Sequence, residues 1–468
     1  MTTRIVIIGG GPAGYEAALV AAARDAHVTV IDSDGIGGAA VLFDCVPSKT
    51  FIASTGVRTE LRRGPHLGFD IDIEAAKISL PEIHQRVKLL AGDQSDDIKA
   101  QLVSAGVDVV AGKGALVDTS PGLAAHRVQA TAADGSTSTY DADVVLIATG
   151  ASPRELPTAR PDGERILTWR QLYDLDALPE HLIVVGSGVT GAEFVHAYTE
   201  LGVDVTVVAS RDQILPYEDA DAAAVLERIF AERGVELVKN ARADSVTCTE
   251  SGVLVKLADG RTVEGSHALM TIGSVPNTSG LGLDRVGIEL GPGNYLAVDR
   301  VSRTTVSNIY AAGDCTGLLP LASVAAMQGR IAMWHALGEA VTPIRLRTVA
   351  AAVFTRPELA AVGVPQSAID DGTVQARTIM LPLRTNARAK MSGLRHGFVK
   401  LFCRPATGVV IGGVVVAPIA SELILPIAMA VQTRLTVNHL AQTLSVYPSL
   451  SGSITEAARR LMAHDDLD

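Results

Sequence analysis

With 468 residues the chain has room for roughly two to four domains with cores of their own, which excludes a single small module. Its 47% apolar and 19% charged content is that of a packed globular protein and excludes a disordered or fibrous one. Aromatic residues make up only 4% and the net charge is −11, so rings for base stacking are few and the overall sign repels polyphosphate; no nucleic-acid partner is expected.

The chain opens on a short β-branched run, Arg4 to Ile8. A secretory signal is not expected, because Gly9, Gly10, Gly11 and Pro12 would break its apolar helix at once. The run leads instead into Gly9-x-Gly11-x-x-Gly14, which encloses Pro12 and Ala13, then an Ala-rich helical stretch, then a second strand ending in Asp32. This is the βαβ frame of a dinucleotide site. The first glycine makes the tight turn, the second lets the backbone approach a pyrophosphate, and the third lets helix pack on strand, while Asp32 is placed to bind a ribose.

Four cysteines, Cys45, Cys248, Cys315 and Cys403, are too scattered for a disulfide framework and show no C-x-x-C pair, so a reducing cytoplasm and no metal site are expected. Further on, an apolar run reaches Ala148-Thr149-Gly150. The dinucleotide frame then repeats as a strand, Gly186-x-Gly188-x-x-Gly191 with Val189 inside it, a helix carrying Glu193, and another strand. At the end of that strand Ala209 stands where an NADH-selecting acid would be, followed by Ser210 and Arg211, a donor and a cation suited to a 2′-phosphate. A second strand-to-glycine turn ends in Gly313-Asp314, whose carboxylate is placed to reach a ribityl hydroxyl. Taken alone, each of these two turns reads equally well as an ordinary strand end. Two dinucleotide sites imply electron traffic between two cofactors. Near the C-terminus, residues 408–431 are long enough to cross a bilayer, but Glu422, Pro418 and Pro426 interrupt them. A strand followed by a helix is expected, and no transmembrane segment.

On these motifs the chain resembles the flavoprotein disulfide reductase family over essentially its whole length. The resemblance is carried by the two fingerprints, Ala148-Thr149-Gly150, "TIGSVPNT" at Thr271 to Thr278, "AAGD" at Ala311 to Asp314, "VFTRPELAAVG" at Val353 to Gly363 and "YPSLSG" at Tyr447 to Gly452. It implies an α/β fold with two Rossmann-like dinucleotide-binding domains and a C-terminal α+β dimerisation domain. The implied division is an FAD domain over 1–150, an NAD(P) domain over 151–272, a central domain over 273–345 that completes the flavin site, and a dimerisation domain over 346–468. Beside the first fingerprint and Asp32, the implied FAD positions are Gly38, Cys45, Lys49, Gly114, Ala115, Thr149, Gly150, Asp314, Leu321 and Ala322. The implied NAD(P)H positions are the second fingerprint with Val189, Glu193, Ser210, Arg211 and Gly273. Lys49 is implied to pair with Glu193 and to tune hydride transfer at the flavin.

The resemblance breaks where the family does its thiol chemistry. The family's cysteine pair, spaced C-x4-C on the helix after the first βαβ unit, reads here as "GGAAVLFDCVPSK". Ala40 replaces the exchange cysteine and Cys45 keeps the flavin-facing one. The family's His base and its Glu are replaced by Tyr447 and Gly452; a phenol is a poor base at neutral pH, and glycine orients nothing. Cys45 is left either as a small hydrophobe or as a flavin-side thiol active by charge transfer or a sulfenic acid cycle. In the family's NADPH enzymes an arginine tends to stand at the Ser210 position, and Ser274 replaces another that often follows the glycine at 273; the reading is a permissive site that leans to NADPH. The expected function is an FAD-dependent NAD(P)H dehydrogenase that passes electrons directly to a quinone, cytoplasmic, and a homodimer or dimer of dimers. A soluble transhydrogenase, a peroxide or NADH oxidase working through Cys45, and a non-enzymatic nucleotide-redox sensor or structural subunit that has kept its cofactor sites are the alternatives.

Overall fold

The computed structural model describes residues 2–70, 72, 76–117 and 126–462, with His66 described by its backbone alone. The chain packs as two compact units. The first gathers Met1–Thr50, Glu82–Arg154 and Gly273–Ile344, and the second Phe51–Pro81, Glu155–Ile272 and Arg345–Asp468.

The first unit is built on a five-stranded parallel sheet ordered Ile309–Ala311, Val144–Ile147, Arg4–Ile8, His27–Asp32 and Asp108–Ala111. Its central strand reads Ile5-Val6-Ile7-Ile8 without alternation because it is buried on both faces. Ile5 and Ile7 pack with Ala13, Ala17, Ala18 and Ala21 of helix Pro12–Ala22 and with Ala325, Ala332 and Met333 of helix Ala322–Ala336. On the opposite face Val6 and Ile8 pack with Leu116, Val128 and Ala130 of a three-stranded antiparallel sheet, Lys113–Val117, His126–Thr131 and Thr137–Ala142. The two helices approach closely because their contact residues are small. A Cβ on Gly329 would lie 2.1 Å from the Ala13 carbonyl oxygen, and the ion pair Glu16–Arg330 at 2.8 Å spans the same contact.

One expectation is corrected here. The segment after the first βαβ unit is two helices, Gly38–Leu42 and Cys45–Arg63, rather than one. The N–H groups of Phe43 and Asp44 both close onto the Ala39 carbonyl, ending the first helix, and the Asp44 carbonyl accepts the Ser48 N–H to begin the second. Ala40 and Cys45 therefore lie on different helices.

The second unit repeats the parallel sheet, in the order Glu236–Val238, Asp204–Val208, His181–Val185, His267–Met270 and Ile166–Leu167. It also holds a five-stranded antiparallel sheet, Ala350–Val353, Glu358–Gly363, Val410–Ala417, Phe398–Cys403 and Arg377–Pro382. Residues 408–431 form strand Val410–Ala417 and the short helices Ala420–Leu423 and Leu425–Thr433, with Pro426 in the first turn of the latter, where its missing N–H costs no bond. Among the described residues no helix is long and apolar enough to cross a membrane.

Candidate functional site

In the first unit the fingerprint glycines divide by what surrounds them. A Cβ on Gly9, at φ +109°, would lie 2.2 Å from the Ala148 carbonyl oxygen, and one on Gly14 would lie 1.8 Å from that of Gly9, so both are fixed by the protein's own packing. A Cβ on Gly11 would meet nothing nearer than 3.9 Å. Gly11 thus keeps open space at the start of helix Pro12–Ala22, which no side chain caps, and the first-turn N–H groups suit a pyrophosphate. Gly38, at φ +57°, packs with its Cα against Gly11; a Cβ there would come within 2.8 Å.

Asp32 is more committed than the sequence suggests. Its Oδ2 accepts the Gly10 N–H at 2.6 Å and its Oδ1 accepts those of Asp34 and Gly35 at 2.7 Å each. It therefore holds the glycine turn and the following loop together, and a carboxylate with about four lone-pair sites still has one for a ribose. Gly114 is buried, and the space of its absent side chain is filled by Ile8, 2.9 Å from where a Cβ would stand; Ala115 beside it is half-buried.

The turns at Thr149 and Gly313, which the resemblance implies lie at the flavin, are held by two residues outside the expected set, Asn277 and Gln328. Thr149 donates from Oγ1 to the Asn277 carbonyl at 2.7 Å, the Asn277 amide returns a bond to the Thr149 carbonyl at 2.9 Å, and the Asn277 N–H reaches the Gly150 carbonyl at 3.0 Å. Asn277 lies inside "TIGSVPNT", and that motif is the signal in the sequence that points to it. Gln328, buried on helix Ala322–Ala336, accepts the Gly313 N–H at 2.9 Å and so sets the turn that presents Asp314. Burial, followed by the charge of Asp44, pushes the Asp314 carboxyl up to about 6. Burial also raises Asp44, and the Lys49 ammonium opposes that rise. Leu321 and Ala322 form the uncapped start of helix Ala322–Ala336, and Cys45 and Lys49, both half-buried, lie in the first turns of helix Cys45–Arg63. Gly273 takes φ +94° with nothing within 4 Å of where its Cβ would be.

In the second unit the same division recurs. Cβ atoms on Gly186 and Gly191 would each come within 2.3 Å of a carbonyl oxygen, those of Thr271 and Gly186, whereas one on Gly188 would meet nothing within 4 Å. Gly188 opens helix Val189–Glu200, which no side chain caps, and Val189 is 40% exposed. Glu193 is buried and accepts the Phe354 N–H at 2.9 Å. Ala209 is fully buried, while Ser210 and Arg211 after it are exposed. Tyr447 is 86% exposed, in a stretch with Leu444 and Val446, and Gly452 opens helix Gly452–Leu461.

The residues present fit two dinucleotides, one at each fingerprint. Each site has a glycine whose missing side chain leaves room for a phosphate and an uncapped helix start behind it. Such a chain can bring a nicotinamide and a second cofactor into one molecule, while Ala40 supplies no sulfur for thiol exchange.

Comparison with known proteins agrees. Residues 3–329 match the family model described as pyridine nucleotide-disulphide oxidoreductase, and residues 349–458 match that family's dimerisation domain. The chain is 81% identical to a protein of Mycobacterium tuberculosis (strain ATCC 25618 / H37Rv) named NAD(P)H dehydrogenase (quinone), covering 100% of this chain and 96% of that one. It is 31% identical to the dihydrolipoyl dehydrogenase of Chlorobaculum tepidum, covering 97% and 96%. Its structure is similar to the crystal structure of LpdA from Mycobacterium tuberculosis, with a TM-score of 0.95, 80% identity and coverage of 99% and 100%. The fold is also that of the HOCl-induced flavoprotein disulfide reductase RclA from Escherichia coli, at a TM-score of 0.85, 23% identity and coverage of 98% and 100%. The chain therefore belongs to the pyridine nucleotide-disulphide oxidoreductase family and is an oxidoreductase that uses FAD and NAD(P)H.

Proposed function

We propose that the chain oxidises NAD(P)H and delivers the electron pair, by way of FAD, directly to a quinone-type acceptor. The carrying observation is Ala40. It stands at the family's exchange-cysteine position while the turns and glycine cradles on either side are built in full. With no sulfur at 40, no disulfide can form between positions 40 and 45, and neither lipoamide nor glutathione disulfide is reducible by thiol exchange there. FAD, when bound, supplies a carrier that takes a hydride from nicotinamide and yields two electrons to a flat conjugated acceptor. The rest falls to the protein. Gly11 and Gly188 admit the pyrophosphates, and Asp32 orients a ribose. Gln328 and Asn277 hold the turns that carry Asp314 and Thr149. Lys49 keeps a cation at the flavin end, and Glu193 is the buried carboxylate on the nucleotide side. The name of the 81%-identical relative supports this acceptor class.

The donor site is read as permissive with a lean to NADPH, through Ser210 and Arg211. The four-domain division, cytoplasmic location and a homodimer or dimer of dimers belong to the same proposal, the last supported by the match to the dimerisation domain. Steady-state oxidation of NADPH with benzoquinone, lipoamide, hydrogen peroxide or thionicotinamide nucleotide as acceptor tests it. Turnover with benzoquinone well above the others is expected. Faster turnover with thionicotinamide nucleotide would replace the proposal with transhydrogenation.

A further inference from the structure

The segment that follows strand Asp204–Val208 carries Ser210 and Arg211, in the position that borders the adenosine ribose of a Rossmann unit. Its backbone is tied down at several points. The Asn240 N–H donates to the Arg211 carbonyl at 3.0 Å. The Ile214 N–H reaches Glu227 at 3.1 Å. The Leu215 N–H, from a residue at φ +50°, reaches the carbonyl of Ser187 within the fingerprint at 2.7 Å.

A further tie comes from another sheet. Lys400 lies in strand Phe398–Cys403, all of whose residues are buried, and is itself only 4% exposed. Its ammonium meets Oδ1 and Oδ2 of Asp219 at 2.9 and 2.8 Å and Oδ2 of Asp221 at 2.5 Å, and stands 5.6 Å from the Phe398 ring centroid. Three N–H donors meet three carboxylate oxygens, so its bonding capacity is filled. Asp219 is at the same time the N-cap of helix Ala220–Glu232, accepting the Ala222 N–H at 3.1 Å. An apolar residue would pack in that strand without the cost of desolvating a charge. What the lysine adds is a fixed position for the residue that ends the nucleotide-side segment and begins its helix.

We infer that Lys400 is a positioning residue for the nicotinamide nucleotide: through Asp219 it sets the segment that presents Ser210 and Arg211 to the adenosine phosphate. The inference rests on the reading of Ser210 and Arg211 given above. The test uses the flavin-loaded enzyme. Asp219→Asn keeps the N-cap acceptor and removes the charge, Lys400→Met removes the ammonium and keeps the stem, and the double variant leaves neither charge buried alone. For the double variant we expect wild-type flavin content, a thermal midpoint near wild type and an unchanged kcat. Its KM for NADPH and Kd for NADP+ should rise about tenfold, the signature of lost binding that is uniform along the reaction. Lys400→Arg keeps the charge, and with it the fold, but its planar fork cannot place one nitrogen against all three oxygens, so a smaller rise in the same direction is expected. Unchanged KM and Kd in either variant would overturn the inference. Arg211→Ala separates the two readings. If it leaves both donors unaffected, the segment does not face the nucleotide; if it weakens NADPH while the Lys400 variants do not, only the tether is wrong.

Discussion

At the residue scale, charge placement makes donor choice and pH response open to test. Arg211 is exposed at the end of the nucleotide sheet's second strand, with no acid at Ala209. A charge-assisted contact to a 2′-phosphate is worth roughly 1.5–3 kcal/mol, so Arg211→Ala should lower kcat/KM for NADPH about ten- to a hundredfold. NADH, lacking that phosphate, should be little affected, and steady-state kinetics with both donors checks the difference. Equal losses for both would make Arg211 a support of the fold. Asp314 gives the pH response. Its carboxyl is pushed up to about 6 in the folded chain, chiefly by burial, above the ordinary carboxylate range it takes when unfolded. The folded state therefore holds the proton more tightly, and the stability this group contributes is present below about pH 4 and lost as pH rises through about 6. For the flavin-free chain, Asp314→Asn should raise the thermal midpoint at pH 7.5 and change it little at pH 4. Calorimetry showing an equal shift at both pH values would assign the effect to packing rather than ionisation.

At the element scale, the chain shows what a sequence makes legible. A glycine whose Cβ would come within 2.2 Å of a carbonyl, as at Gly9, admits no other residue, so the fingerprints stand out in the sequence. The turns they serve are set by partners far along the chain. Asn277 pins Thr149 from 128 residues away, and Gln328 fixes Gly313 from the middle of a helix that packs largely through small and apolar residues. Asn277 at least lies within a recognisable motif, whereas no local pattern marks Gln328. The break between Gly38–Leu42 and Cys45–Arg63 has one local mark, Pro47 in the first turn of the second helix, which has no N–H to give the Phe43 carbonyl; the two N–H groups that share the Ala39 carbonyl leave no such mark. The two kinds of fingerprint glycine are separable by experiment. Gly191→Ala forces a Cβ to within 2.3 Å of the Gly186 carbonyl oxygen and should destabilise the chain by about 1–3 kcal/mol in denaturant melts. Gly188 has extended backbone and open space, so Gly188→Ala should melt like wild type yet bind NADP+ more weakly, because its methyl stands where the phosphate would run. If Gly188→Ala lost stability and kept affinity, the open space would belong to folding and not to ligand.

At the scale of the whole molecule, order along the chain and order in space part company. Segments 1–50, 82–154 and 273–344 pack together, and strand Ile309–Ala311 completes a sheet begun at Arg4. What the sequence does show at this scale is a pair of nucleotide frames with one cysteine missing between them, and that has a countable consequence. A family member with two cysteines beside its flavin holds four electrons per subunit, two on the flavin and two in the disulfide. Here Ala40 and Cys45 lie on separate helices with a single sulfur between them, and the other three thiols are distant in sequence, with Cys315 and Cys403 buried and Cys248 bonded to Asp162 at 3.1 Å. Anaerobic dithionite titration should therefore reach full reduction at two electrons per flavin, without the long-wavelength charge-transfer band that a thiolate formed from a reduced disulfide gives. Ala40→Cys should raise the capacity to four if the two-helix geometry brings the sulfurs together. It should still not confer lipoamide turnover, because Tyr447 and Gly452 supply no oriented base for the exchange thiol. Four electrons in the wild-type chain would reveal a redox centre that Ala40 cannot provide, and the direct route from flavin to acceptor would have to be abandoned.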